Sequence, residues 1–576
     1  MDRRAFLRKP AAVLVAPVAA KPTPAPSAAA PLATDPPETV SRYANTKLPT
    51  FSRTSAGLSP YTGPWTRVQA AHLLRRCLFG PSKSAIAAAA GASLSQVLNA
   101  LFTVPAAPAP PVNVSATDTS VPIGQTWTTQ PFDQTFESAR RSSLRAWWLG
   151  QVLQGSTLTE KMWVFWHNHF VIEFSDINDA RYGYQYVALL RQHAMGNIKQ
   201  LAKDVTVAPA MLRYLNGNQS TATAPNENYG RELLELFTVG KGPQIGPGNY
   251  TNYTEADVQA AAKCLTGWRD NATTISGYFT ASRHDTSTKT FSSAFQNRTL
   301  PNTGDQEYKA LVDLVFDQAE TARFLVRKLY RWLVYYVIDA DAEQNVILPL
   351  AQQLQQNGYN VAPVLRTLLS SEHFFDAVNV GCYIKGPLDF TLGLCRQLEI
   401  AMPPAASPAV QYGIWDYLNS ITNLQQQVLG DPPSVAGWPA YYQTPQFNEL
   451  WINAVTLPRR SQFTDLMVST NGTTRNGFRL VVDPVTWVES LPGSVASEPN
   501  LLIQAFVEVL MPFPLTASQL AFLNDTLLPG LPDFEWTTEW LDYVANPTNT
   551  AKKNAVATKL RALLRTMLSQ AEYHLS

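Results

Sequence analysis

The feature that most constrains this chain is helical period, repeated segment after segment and stopped each time by a breaker. From Phe132 to about Leu215 the apolar residues keep a spacing of about 3.6, interrupted at Gly155-Ser156, Ser175-Asp176, Gly196 and Pro209. Similar patterns run over Arg67–Leu78, Ser84–Phe102, Gln306–Val337, Asp341–Asn357 and Val361–Ser371, and the longest over Thr550–His574. A chain written this way must bury stripe against stripe, and packed helices are how stripes are buried. Two helices carry their end signals openly. Asn226 is a predicted N-cap with Glu227 in the first turn; Tyr229, Leu233, Leu236 and Phe237 form the apolar stripe, and Gly240 stops the helix. Thr254 and Asp257 read as a capping box, with Gly267 as the stop. Only Asn271–Thr303 lacks helical period, and its Ser/Thr/Phe alternation predicts a small irregular or β-hairpin element. The expected fold class is therefore mainly α, a large multi-helix body with one such element near 271–303.

Four stretches follow from the punctuation. Residues 1–20 hold Arg3-Arg4, Phe6-Leu7 and the apolar run Ala11–Ala20, the layout of a twin-arginine-like export signal, with a general secretory signal as the other route. Residues 21–64 form a Pro/Ala/Ser/Thr-rich linker, 65–401 a helical core, and 402–576 a C-terminal helical portion packed on it, beginning at the Pro-rich break Met402–Pro408. The expected location is periplasmic, cell-surface or secreted. Hydrophobic residues make up 45% of the chain and charged residues only 15%, against roughly 25% in an average soluble protein. With 45 basic and 44 acidic residues the net charge is +1, which provides no footprint for nucleic acid. No run reaches the roughly eighteen apolar residues of a membrane span; Phe324–Val337 comes nearest and is broken by Arg327, Lys328 and Arg331. Four scattered cysteines without a C-x-x-C exclude a zinc ribbon; Cys382 and Cys395 either pair or are buried thiols.

Several segments read together resemble a known bacterial family. They include His72–Gly80 (HLLRRCLFG), Phe165–Phe170 (FWHNHF), Pro225–Thr238 (PNENYGRELLELFT), Leu265–Trp268 (LTGW), Phe324–Leu329 (FLVRKL) and Pro433–Pro439 (PSVAGWP), with Tyr253–Val258 and His284-Asp285. On these the chain is similar, from about Trp65 onward, to the family known as domain of unknown function 1800. The resemblance implies an exported protein, often encoded beside a second exported family related to alkaline phosphatases and sulfatases, and it implies no activity. Here Lys241–Asn252 lengthens a link that is short in the family.

The residues themselves offer three clusters. His167 and His169 sit two apart, about 200° around a regular helix, so they grip one metal only if the helix ends at His167; otherwise they are buried histidines bonded to backbone or carboxylate. Asn228, Arg231, Glu232 and Glu235 share one helix face, either as a stripe with an Arg231–Glu235 pair or, with histidine from another helix, as a metal or acid/base centre. Arg283-His284-Asp285 and Lys289 lie in the irregular segment, where functional groups concentrate. Glu255 and Asp257 read as capping residues, and Arg75, Arg76, Arg327 and Lys328 as anchors for carboxylates or last-turn carbonyls. There is no G-x-S-x-G, H-E-x-x-H, P-loop or G-x-G-x-x-G. Two functions follow. One is an exported metal-assisted hydrolase, with His167, His169, Glu232 and Glu235 around a divalent cation, Asn226, Glu227, Asn228 and Arg231 as binding residues, and His284 and Asp285 closing from a loop. The other is a non-catalytic envelope or extracellular assembly protein acting with the neighbouring phosphatase/sulfatase-like family.

Overall fold

The helix Leu158–His169 is buried at every one of its twelve positions. A helix that is apolar on all sides belongs at the centre of a body, and Met162, Trp163, Val164, Phe165 and Trp166 make this one apolar on all sides. Thr157 caps it, accepting the Thr159 N–H at 3.3 Å. Around it, in a computed structural model that describes residues 56–576, 56% of residues are helical. The described residues belong to one compact unit. Residues 1–55, with the twin-arginine pair and most of the linker, lie outside them. The linker's final residues are pinned to the body: Tyr61 N–H donates to Ser370 O at 2.8 Å and Glu372 N–H to Ser59 O at 2.8 Å.

The mainly α class holds, while individual boundaries shift for local reasons. Ser84–Phe102 is two helices, Lys83–Ala90 and Leu94–Leu101, because Ser93 and Gln96 form a capping box that starts a new one. Gln306–Val337 likewise divides into Glu307–Phe316 and Ala319–Leu333. The final helix, Thr550–Ser569, is cut short by a 3-10 turn over Ala571–His574. The helix Pro408–Leu424 lies directly along Glu137–Gln154, so closely that a Cβ on Gly150 would sit 2.4 Å from the Trp415 ring.

The β content is four two-stranded sheets rather than one. Two occupy the expected irregular region, Trp268–Asn271 with Ser276–Phe279 and Lys289–Thr290 with Thr299–Leu300. A third, Gln244–Gly246 with Asn249–Tyr250, is the extra length noted between Lys241 and Asn252. The fourth joins Thr473–Arg475 to Phe478–Leu480 through Asn476-Gly477, both at positive φ (47° and 78°), the backbone that a two-residue hairpin loop requires.

All four cysteines are free, so Cys382 and Cys395 do not pair; Cys395 is a buried thiol and Cys382 is half-buried. Among the described residues no helix is long and apolar enough to cross a membrane.

Candidate functional site

The central helix stays regular through His169, so its two histidines diverge as the two-residue offset requires. His167 is 0% exposed and meets the rings of Trp148, Phe174 and Trp438 at 4.9–6.4 Å, with the Ile172 backbone as its polar neighbour. Burial pushes its pKa down to about 3, so the ring stays neutral. It behaves as a core histidine.

His169 faces the other way, and there chemistry collects. Its Nε2 lies 3.0 Å from Phe237 O. A carbonyl only accepts, so Nε2 carries the ring proton and Nδ1 is left as an acceptor. Lys328 Nζ donates to that Nδ1 at 3.1 Å and to Leu236 O at 3.0 Å. No carboxylate is among these partners. Burial, and Arg331 one turn along the same helix, lower the Lys328 pKa to about 7, and burial with Lys328 beside it holds His169 well below its ordinary value. The amine borders a cavity of about 20 Å³ walled by Phe165, Asn168, Arg331, Trp332, Tyr441 and Tyr442, space for one water.

The sequence builds this nook from three segments. On the central helix Phe165, Asn168 and His169 fall at offsets that share a stripe. The carbonyls of Leu236 and Phe237 come from a helix end of unusual form. Glu227–Glu232 is α-helical, and Leu233–Phe237 then widens into a π-turn. The orphan carbonyls of this end are taken one by one: Leu233 O by the Thr238 hydroxyl, Leu234 O by Gly240 N–H at 2.9 Å, Leu236 O by Lys328 and Phe237 O by His169. The third segment is the Gly-Trp-Pro loop. Asn168 Oδ1 accepts Trp438 N–H at 2.9 Å, and a Cβ on Gly437 (φ 91°) would lie 2.4 Å from that oxygen. Only glycine fits there.

The remaining sequence-selected residues have other partners. Asn226 caps its helix, accepting Asn228 N–H at 2.9 Å, and Asn228 is half-buried in the first turn. The expected Arg231–Glu235 pair is replaced. Arg231 reaches across to Glu255 on the next helix with two contacts, 2.5 and 2.9 Å, and back to Glu227 at 3.2 Å. Glu255 is thus an ion-pair residue more than a cap, whereas Asp257 does close the capping box with Thr254. Glu235 accepts from Tyr253 OH at 3.1 Å and pairs with Lys241 at 2.7 Å. Glu232 is half-buried where the α-helix gives way to the π-turn, a widening that draws Glu235 out of the offset-three alignment with it.

His284 sits in a sealed knot. Its Nδ1 donates to Thr266 O at 2.9 Å and its Nε2 lies 3.0 Å from Glu307, which also holds Lys289 at 2.6 Å. The Lys289 and Glu307 side chains are both 0% exposed. Asp285 is 3.6 Å from Lys289 and caps Ser287. This knot ties the β-bearing segment to the helix Glu307–Phe316.

Among the described residues no group of three or more His, Cys, Asp or Glu is placed to hold a metal ion. The largest cavity, about 790 Å³, borders none of the sequence-selected residues. Its polar lining is already engaged: Tyr182 OH donates to Asp270, Arg191 to Glu160 and the Trp147 indole to Ala109 O, at 2.8–3.1 Å. It is a groove without a converging reactive group. The nook is smaller but has one. Of its residues, sequence reasoning selected His169; it took Lys328 as an anchor and passed over Asn168, Arg331 and Tyr441. The available signal was a lysine inside an apolar helix with no acidic residue one turn away.

The segments that meet here, HNH, LFT, VRKL and GWP, are those on which the family resemblance rests. No curated protein and no solved structure matches the chain. The family model described as "Protein of unknown function (DUF1800)" matches residues 72–575, nearly its whole length, and the chain belongs to that family.

Proposed function

We propose that this is an exported, hydrolase-like protein whose general base is Lys328. One observation carries the proposal: both N–H groups of a neutral Lys328 amine have acceptors, His169 Nδ1 and Leu236 O, leaving its lone pair on a nitrogen that borders a water-sized cavity. A water there gives its proton to the amine, and the hydroxide formed attacks an ester carbon or phosphorus, expelling the alcohol. Arg331 and the Nδ2 of Asn168, whose Oδ1 is occupied by Trp438, are the donors that border the same cavity for the charge that develops. The divalent-metal form of this idea fits the donors less well, because both ring nitrogens of His169 are already engaged and Glu235 is paired with Lys241. Chromogenic carboxylate, phosphate and sulfate esters test the proposal. Turnover should rise with a pH midpoint near 7 and vanish in Lys328→Met; a rate that Lys328→Met leaves intact would overturn it. Elemental analysis of the same preparation tests the metal alternative.

A second reading, assembly with the neighbouring exported phosphatase/sulfatase-like family, is favoured by a different feature. Phe534, Leu541 and Val544 recur along one face of the helix Phe534–Ala545 and are 51–63% exposed. Exposed apolar stripes mark partner surfaces. Co-purification that Phe534→Asp plus Leu541→Asp abolishes would support it. Export itself is proposed from Arg3-Arg4. Arg3→Lys with Arg4→Lys should retain precursor in the cytoplasm if the route is twin-arginine.

A further inference from the structure

Behind Trp332 and Tyr441, which wall the nook on one side, lies a second cavity of about 10 Å³ whose lining is almost entirely cationic: Arg75, Arg76, Lys161 and Lys385, with Asp389. Lys161 pairs with Asp389. The others have no carboxylate. Arg75 donates to the carbonyls of Glu508 and Val509, Arg76 to Asn379 O at 2.9 Å, and Lys385 to Tyr573 O at 2.5 Å. Arg460 stands just behind, giving one Nη to Lys385 O at 2.7 Å. Donors remain over: Arg75 Nε, Arg76 Nε and the Trp332 indole N–H are buried without an acceptor, on residues 3–6% exposed. Arginine cannot escape by losing its proton, and an uncompensated buried charge is strongly unfavourable. Lys385 can escape, and burial beside Arg75 holds its pKa well below the usual lysine range. Even granting Ser576, which also lines the space, a free carboxylate, cations outnumber anions here.

We propose that this cavity is a binding site for a small monoanion of halide size, held by Arg75, Arg76 and the Trp332 indole. The size follows from the volume, about one water-sized sphere, and excludes phosphate and sulfate. The preference for charge follows from a lining that offers donors and almost no acceptors. The site does not depend on the chemistry proposed for Lys328, since none of its donors reacts there.

Thermal unfolding of the full chain in sodium chloride against sodium gluconate at matched ionic strength is the first test. Chloride should give a saturable rise of about 1–3 °C by tenfold its dissociation constant, and gluconate should not. Arg76→Met should abolish the chloride-specific rise. Crystals grown in bromide, which need no variant, should show an anomalous peak between Arg75 and Arg76. A rise that Arg76→Met retains, an empty cavity in the bromide crystals, or a Ser576 carboxylate seated between the two arginines would each overturn the proposal.

Discussion

Two places in this molecule bury a lysine against a histidine, and they differ by one carboxylate. In the knot, Glu307 accepts from both Lys289 and His284, so the charges cancel and the group serves as a tie. In the nook, Lys328 meets His169 and a carbonyl, which accept hydrogen bonds and supply no charge. The difference teaches how a fold turns one pair of residue types to two ends. A buried ammonium with a counter-ion is held in its charged form and is inert. One with only neutral acceptors is pushed toward the free amine and keeps a lone pair.

The comparison can be broken at its strongest point first. Glu307→Gln leaves Lys289 without its counter-ion in a sealed space and should cost about 3–5 kcal/mol in denaturant unfolding. Lys328→Met removes an amine that no carboxylate stabilises and should cost less than about 1 kcal/mol, or stabilise. Equal losses would erase the distinction. Acid sharpens it next. His72, His167 and His574 also lack carboxylates and are held near 3 by burial. Between about 3 and 6.5 the unfolded chain binds more protons than the folded one, so stability should fall as pH drops through that window, by up to about 1.4 kcal/mol per unit per group. A flat unfolding profile from pH 6.5 to 4 would contradict this. A smaller effect isolates Arg331. Arg331→Leu removes the like charge beside Lys328, so the midpoint for acylation of that amine, followed by peptide mass spectrometry, should rise by about one unit. The smallest effect belongs to the half-exposed seam. Arg231→Met breaks contacts with Glu255 and Glu227 and should cost no more than about 1 kcal/mol.

Helix identity was legible because period and caps are local: Thr254-Asp257, Asn226 and the apolar stripes all act where they are written. Boundaries failed where two local signals competed, as at Ser93, whose cap interrupts an otherwise continuous apolar run. The hairpin at Asn476-Gly477 was readable in the chain, but it was hidden by the helical period on both sides. The candidate site was legible only in part. His169 could be singled out, but what makes it more than a core histidine is Lys328, 159 positions away. Partners at that distance leave no trace in spacing. Glu307 escaped for the same reason: it opens a helix that looks ordinary, and its role is set by a loop more than twenty residues upstream.

The π-turn at Leu233–Phe237 has a consequence best put in the language of insertions. It is one residue absorbed into a helix whose start, the cap at Asn226, is fixed. Removing any one of its five residues would let the plain helical ladder close again and change the phase of everything after it by about 100°. The Phe237 carbonyl would then swing off His169, and the imidazole would lose the acceptor that fixes its tautomer. A single-codon deletion in a segment that touches no cavity would thereby reset the proton on a histidine in the neighbouring helix, with the apolar composition of both helices almost unchanged.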